Sequence, residues 1–232
     1  MPDDDRGMRY PGGKGKCYQR LISLMPPHEV YIESHLGGGA VLRHKRPAKL
    51  SIGVDLDARM IDRWRTEHPG LCQLVHGAAE AFLSGYPFLG GELVYADPPY
   101  LPETRRRAKV YRHDYATADH AALLDLLLTL PCKVMLSGYD NAMYRERLAG
   151  WRCVAFDAKT QVDVRQECVW LNFDPPARLH DASHLGETFR DRQTIKRRHA
   201  RLIDRFGRMD PVERNHLLAL LGERFDLAEQ TP

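Results

Sequence analysis

Asp97, Pro98, Pro99 and Tyr100 follow the apolar run Leu93-Val94-Tyr95-Ala96. A carboxylate, two prolines and an aromatic in that order suit methyl transfer to an exocyclic amine of a base. Such an amine is a poor nucleophile because its lone pair is delocalised into the ring, so a catalyst must hold it in line with an electrophilic methyl. The Asp97 carboxylate and the Pro98 carbonyl supply two fixed acceptors for its N–H hydrogens, because the prolines lock φ and remove backbone donors. Tyr100 supplies a flat face for a base lifted out of its stack, as chemistry on a base within a duplex requires. A Pro-Pro turn after a buried strand would explain the prolines but neither the acid nor the aromatic beside them.

Those residues need a rigid carrier, and strands alternate with helices along the chain, which predicts an α/β fold with a largely parallel sheet. Residues 16–25 read as a helix with Leu21, Ile22, Leu24 and Met25 on its apolar side, stopped by Pro26-Pro27. Val30-Tyr31-Ile32-Glu33 follows as a first strand. It runs into His35-Leu36-Gly37-Gly38-Gly39-Ala40-Val41, a glycine-rich turn that lets a ligand approach the backbone before the next helix. A second strand over 50–54 ends at Asp55, 16 residues after Gly39 and close to the roughly 20 at which a second-strand carboxylate meets a ribose hydroxyl. A glycine loop and an acid suit an adenosine-containing ligand but describe nicotinamide enzymes equally well; the tetrapeptide on a later strand separates the two. Ligands of open α/β sheets bind beyond the carboxyl ends of the strands, where Glu33, Asp55 and Asp97 are expected to converge. Three carboxylates suit a cationic sulfonium and repel a diphosphate.

Downstream, Thr117 is expected to cap a helix carrying Leu123, Leu124, Leu127 and Leu128, ended at Leu130-Pro131. The next strand, over 133–137, ends in Ser137-Gly138-Tyr139-Asp140-Asn141, a polar segment expected on the same rim as Asp97. Segments 151–157 and 168–173 read as an antiparallel edge hairpin. Pro175-Pro176 then divides a catalytic domain, 1–175, from a basic helical extension, 176–232. In the extension a helix over 187–206 breaks at Gly207, and Asp210-Pro211-Val212-Glu213 starts another as a capping box with proline at the first helical position.

The 232 residues, 43% of them hydrophobic, suit one globular domain with a modest extension. The start Asp3-Asp4-Asp5 does not resemble a signal peptide, and the Leu-rich stretch 123–130 is interrupted by Asp125. No membrane span is expected and the chain reads as soluble and cytoplasmic. Five dispersed cysteines, Cys17, Cys72, Cys132, Cys153 and Cys168, lack zinc-site spacing and read as reduced structural thiols. His180 and His184 lack partner ligands, so no metal is expected. Net charge is only +3, yet the cations cluster. Arg105, Arg106, Arg107, Lys109 and Arg112 interleave with Tyr111 and Tyr115 beside the tetrapeptide, as nucleic-acid contacts do. A second cluster runs from Arg190 to Arg208, through Arg192, Lys196, Arg197, Arg198, Arg201 and Arg205; a solvated face and a binding face explain it equally.

In this order the motifs resemble the Dam-type DNA adenine N6-methyltransferases, over about residues 8–173. Arg9-Tyr10-Pro11-Gly12-Gly13-Lys14 is similar to the family's aromatic-x-Gly-Gly-Lys element, in which the aromatic and the lysine contact S-adenosylmethionine. Residues 33–41 resemble its acid-Pro-Phe-x-Gly-x-Gly cofactor loop, Asp55 its ribose-binding acid and residues 97–100 its catalytic motif. The resemblance implies a Rossmann-like S-adenosylmethionine-dependent methyltransferase sheet, mostly parallel with an antiparallel edge hairpin, plus the helical extension. It implies S-adenosylmethionine as cofactor, S-adenosylhomocysteine as product, no metal, and adenine in DNA as substrate. Catalysis would fall to Asp97, Pro98, Pro99 and Tyr100; the cofactor to Tyr10, Lys14, Glu33, Gly37, Gly39, Asp55 and Asp97; DNA to Arg105, Arg106, Arg107, Lys109, Tyr111 and Arg112. On the residues alone, Lys14 is a sensible counter-ion for the methionine carboxylate and Tyr10 can pack against the methionyl or adenine portion.

The chain departs from that pattern in three places. Ser34 and His35 replace the Pro-Phe of the cofactor loop. Val75-His76-Gly77-Ala78 lacks an acid often found after the third strand, for which Glu80 is the substitute at hand. The interval from Asp57 to Asp97 is too short for the family's inserted target-recognition domain, so DNA contact is expected to move to residues 105–115 and the basic tail. This compactness resembles family members from phages and integrated elements. An RNA adenine methyltransferase would share every catalytic residue. A protein glutamine methyltransferase would have Asn in place of Asp97, and a nucleic-acid-binding relic of the fold would have lost tight cofactor binding.

Overall fold

A computed structural model describes residues 17–104, 114–159 and 164–225. They form two compact units, one ending at His184 and one beginning at Leu185. In the first unit the order is α1 (Tyr18–Ile22), β1 (Val30–Glu33), α2 (Ala40–His44), β2 (Leu50–Asp55), α3 (Ala58–Glu67), β3 (Gln73–His76), α4 (Ala79–Gly85) and β4 (Glu92–Ala96). A 3₁₀ turn (Pro102–Thr104), α5 (Thr117–Thr129), β5 (Lys133–Gly138), α6 (Ala142–Arg147), β6 (Arg152–Lys159) and β7 (Val164–Leu171) follow. The second unit carries α7 (Phe189–Gly207) and α8 (Pro211–Phe225).

The strands make one sheet in the order β3-β2-β1-β4-β5-β7-β6. All neighbours are parallel except those of β7, which runs antiparallel to β5 on one side and to β6 on the other. This is the Rossmann-like sheet expected from the sequence, with its mostly parallel body and antiparallel hairpin edge. Side chains alternate across each strand. On one face Ile32, Val94, Ala96, Val134 and Leu136 pack with Leu123, Leu124 and Leu127 of α5. On the other, Tyr31, Leu93, Tyr95 and Met135 pack with Leu21, Ile22 and Met25 of the α1 region and with Met60 and Trp64 of α3. β4 is buried along its whole length, as a central parallel strand covered on both faces must be.

Local chemistry sets the helix starts. Thr117 does not cap α5 as expected. Ala116 holds that position, and the Asp119 carboxylate accepts its N–H at 2.8 Å, because an acid at the third helical position reaches back as well as a hydroxyl reaches forward. Asp210 accepts from Val212 and Glu213 at the start of α8. The division between units falls later than Pro175-Pro176 suggested, because residues 180–183 are tied to the sheet unit. The His180 N–H donates to the Met25 carbonyl, its ring Nε2 donates to the Arg46 carbonyl, and Asp181 accepts the Arg46 N–H.

Candidate active site

Going outward from β1, the chain builds β2 and β3 on one side and then crosses to place β4 on the other. The loops after β1 and β4 therefore diverge at a topological switch point, where open α/β sheets hold their ligands. Register makes the convergence specific. Glu33 lies level with Gly53 on one side and Tyr95 on the other. Beyond the end of β1, the Ser34 N–H donates to the Tyr95 carbonyl and the Leu36 N–H donates to that of Val54, so the loop stays bonded to both neighbouring strands.

Long-range contacts shape the glycine loop. The Asp55 carboxylate accepts the N–H groups of Gly37 and Asp57, both at 2.8 Å. A carboxylate has about four lone-pair sites, so these two bonds orient it without exhausting it. The Gly37 carbonyl accepts from the indole of Trp64 at 2.8 Å, and Leu36 fills the notch left by Gly53. Gly39 takes φ +54°, and a Cβ there would stand 2.1 Å from Cζ2 of Trp64. The backbone is thus bare and approachable beside an oriented acid, which fits the ribose of an adenosine-containing cofactor. Trp64 is a residue the sequence did not single out: its spacing from Met60 and Ile61 reads only as the apolar side of α3.

Glu33 is placed differently from the picture of three carboxylates around one rim. It is 3% exposed, and its Oε2 accepts from the Tyr31 hydroxyl at 2.9 Å and from the Leu42 N–H of α2 at 3.1 Å. It faces inward because it shares the strand face of Tyr31, two residues back. Burial raises its carboxyl from the usual 4.5 to about 8, and the charge of Asp97 adds to the rise. The fold therefore keeps a proton that the unfolded chain releases, so Glu33 contributes stability below about pH 4.5 that is lost as pH rises toward 8. Burial moves His35 and His28 the other way, from 6.5 to about 3. For them the unfolded chain holds the extra proton, so their contribution, present above 6.5, is lost as pH falls toward 3. Thermal stability is expected to peak at about pH 6.5, and Glu33→Gln, which keeps an acceptor for Tyr31 and Leu42, should flatten the alkaline side. An unchanged alkaline decline in melting curves of that variant would assign the effect to another group.

Two of the departures from the family's pattern, Ser34-His35 and Glu80, meet in one chain of hydrogen bonds. The Tyr115 hydroxyl donates to Glu80 Oε1 at 2.7 Å and lies 3.0 Å from His35 Nε2. With its proton committed to Glu80, it accepts from Nε2–H, and His35 Nδ1 then accepts from the Ser34 hydroxyl at 3.0 Å. The neutral ring required for this is the one burial favours. Ser34 and His35 thus tie the loop after β1 to α4 and to the segment that leads into α5, and Glu80 has a partner other than adenine. Tyr115→Phe would strip a donor from Glu80 and an acceptor from His35. It is expected to lose about 1–3 kcal/mol in denaturant unfolding; wild-type stability would mean that the bonds are not held in solution.

On the β4 side Asp97 is half-buried and Pro98 buried. The charge of Asp97 is felt by Tyr31, Glu33 and Tyr144. Tyr100 is 6% exposed and meets Tyr139 edge to face, ring centroids 4.4 Å apart. The segment after β5 therefore reaches the tetrapeptide, as the sequence suggested. Asn141 shapes it, donating to the Tyr139 carbonyl and accepting the Tyr144 N–H, each at 2.9 Å. Glu103, Thr104, Tyr139, Asp140 and Gln166 line an open cleft of about 450 Å³ alongside. Tyr10 and Lys14, assigned to the cofactor, and Arg105, Arg106, Arg107, Lys109, Tyr111 and Arg112, assigned to DNA, lie outside the described residues.

Strand order and switch-point loops define the class: a Rossmann-like open α/β fold. No family model matches the chain, and no curated protein matches it. Similar solved structures include a dimethyladenosine transferase from Plasmodium falciparum, 14% identical with TM-score 0.43, over 66% of this chain and 59% of that one. An rRNA methylase from Streptococcus thermophilus is 11% identical with TM-score 0.43, over 66% and 93%. TrmK of M. capricolum with S-adenosylhomocysteine is 7% identical with TM-score 0.46, over 90% and 96%.

Proposed function

We propose that the protein methylates the N6 amine of adenine in DNA, with S-adenosylmethionine as donor. The observation that carries this reading is the position of Asp97-Pro98-Pro99-Tyr100 directly after β4, across the switch point from the glycine loop and Asp55. When bound, the cofactor supplies an electrophilic methyl on its sulfonium. Asp55, held by Gly37 and Asp57, suits the ribose hydroxyls, and Gly37 and Gly39 allow close approach. Glu33 acts from inside, capping α2 through the Leu42 N–H and so steadying the loop. Lys14 and Tyr10 are assigned to the methionyl and adenine portions by the family resemblance.

On the acceptor side, the Asp97 carboxylate and Pro98 carbonyl take the two N–H hydrogens of the amine and turn its lone pair toward the methyl. So held, the amine nitrogen would face in line the methyl that the bound cofactor would supply, and its N–H proton would leave to solvent. Most of the acceleration comes from alignment and from acceptors fixed in advance. Tyr100 stacks on the extruded base. Because it meets Tyr139 in the present arrangement, base entry requires Tyr139 to turn aside, with the neighbouring cleft as the space beside it. Arg105, Arg106, Arg107, Lys109, Tyr111 and Arg112 are assigned to the DNA backbone.

The test is labelled methyl transfer to matched DNA and RNA, with mass analysis of the released nucleosides. N6-methyladenine in DNA is the expected product. Signal in RNA alone would move the substrate to RNA; cofactor binding without transfer to either would overturn the reading.

A further inference from the structure

The second basic cluster of the sequence falls on α7, an exposed helix of the second unit that carries seven Lys and Arg against two Asp. At about 100° per residue, Arg190, Arg197, Arg198, Arg201 and Arg205 fall within one arc of roughly 100°, a stripe running about 22 Å along the axis at ~1.5 Å per residue. All five are exposed. Both acids of the helix are committed elsewhere: Asp191 to the capping box with Thr188, and Asp204 to Arg208. Among the described residues none of the five arginines pairs with a carboxylate. An unneutralised row of this kind raises the local potential and draws a polyanion.

We propose that this arginine stripe of α7 docks the phosphate backbone of a nucleic-acid duplex. The inference rests on the reading of the sheet unit as a base methyltransferase and adds a holding surface remote in sequence from the catalytic tetrapeptide. Two features favour a duplex over an anionic bilayer. The cations of the stripe are all arginine, whose planar guanidinium matches phosphate oxygens bidentately. A bilayer-bound helix needs an unbroken apolar face, whereas the exposed Phe189 and Ile203, each 71% accessible, share their arc of α7 with Arg192 and Lys196. Backbone contacts of this kind carry affinity and no sequence preference, so the stripe holds the duplex while base choice is made elsewhere.

The triple variant R197Q/R198Q/R201Q tests this in the full-length chain. All three positions are solvent-facing, so helicity by circular dichroism and S-adenosylmethionine binding by calorimetry should match wild type. Binding of a short labelled duplex, followed by anisotropy from about 50 to 200 mM salt, is expected to weaken at least tenfold. The slope of log affinity against log salt should fall by about 2.7, or 0.9 for each lost contact. Arg65→Gln, removing an exposed α3 arginine already paired with Asp62, should leave the slope unchanged. Wild-type affinity and slope in the triple variant would overturn the docking face even if N6 methylation is observed. A loss of slope in a protein that methylates no base would support the docking face and remove the methyltransferase reading. Binding to anionic vesicles that the triple variant loses, with duplex binding intact, would also overturn it.

Discussion

Asp97→Ala is expected to lower methyl incorporation by about 10³-fold, the scale of loss when one preorganised hydrogen-bonding group is taken from a reacting centre. The residue follows a strand buried along its length and is flanked by Ala96 and two prolines, so its removal changes the site without freeing the backbone. Asp97→Asn keeps one carbonyl acceptor and should retain part of the rate. The side chain also has an electrostatic reach, because its charge helps to hold Glu33 protonated. Its loss should therefore bring the Glu33 carboxyl back toward its ordinary value and shorten the alkaline decline in stability, with burial still holding it above that value. A variant with near wild-type turnover would remove Asp97 from the chemistry and with it the assignment of the tetrapeptide.

The second large effect is structural. Gly39→Ala should cost about 1–2 kcal/mol for a left-handed backbone angle and about 1–3 kcal/mol more for overpacking against Trp64. Its Cβ would lie 2.1 and 2.6 Å from two atoms of the indole, in a ring that is fully buried and hydrogen-bonded to Gly37. Relief requires the ring or the loop to move, and either displaces the backbone offered to the cofactor. Gly70 provides the control, since it has φ +74° and an added methyl there would meet nothing within 4 Å. Gly70→Ala should therefore show the angular cost alone. Calorimetric melting of the two variants, with cofactor titration, separates the contributions; equal losses would mean that Trp64 yields freely.

Much of the site was legible because it depends on neighbours along the chain. β1 occupies the expected residues, β2 ends at Asp55, and β4 delivers Asp97 to its carboxyl end, since a continuous apolar run followed by Pro-Pro has few other solutions. The start of α5 differs from expectation for an equally local reason: Thr117 and Asp119 are both competent to satisfy the first turn, and propensity does not choose between a side chain reaching forward and one reaching back. The later division between the two units was hidden because Pro175-Pro176 signals a break in regular structure, whereas the ties of His180 and Asp181 are to Met25 and Arg46, far away in sequence.

By itself the sequence determined the class of fold, the order of the motifs and the chemistry that an acid, two prolines and an aromatic can perform, because periodicity and turn geometry act over a few residues. Tertiary structure decided which side chains meet. Strand order sets the loop after β1 between the ends of β2 and β4, with Ser34 bonded to Tyr95 and Leu36 to Val54, and packing brings Tyr115, 80 residues on from His35, to within 3.0 Å of its ring. The same packing turns Glu33 inward onto Tyr31 and α2, lays Trp64 under the glycine loop and sets Tyr139 against Tyr100. None of these contacts has a local signature, since each arises from the close packing of elements whose adjacency exists only once the sheet has formed.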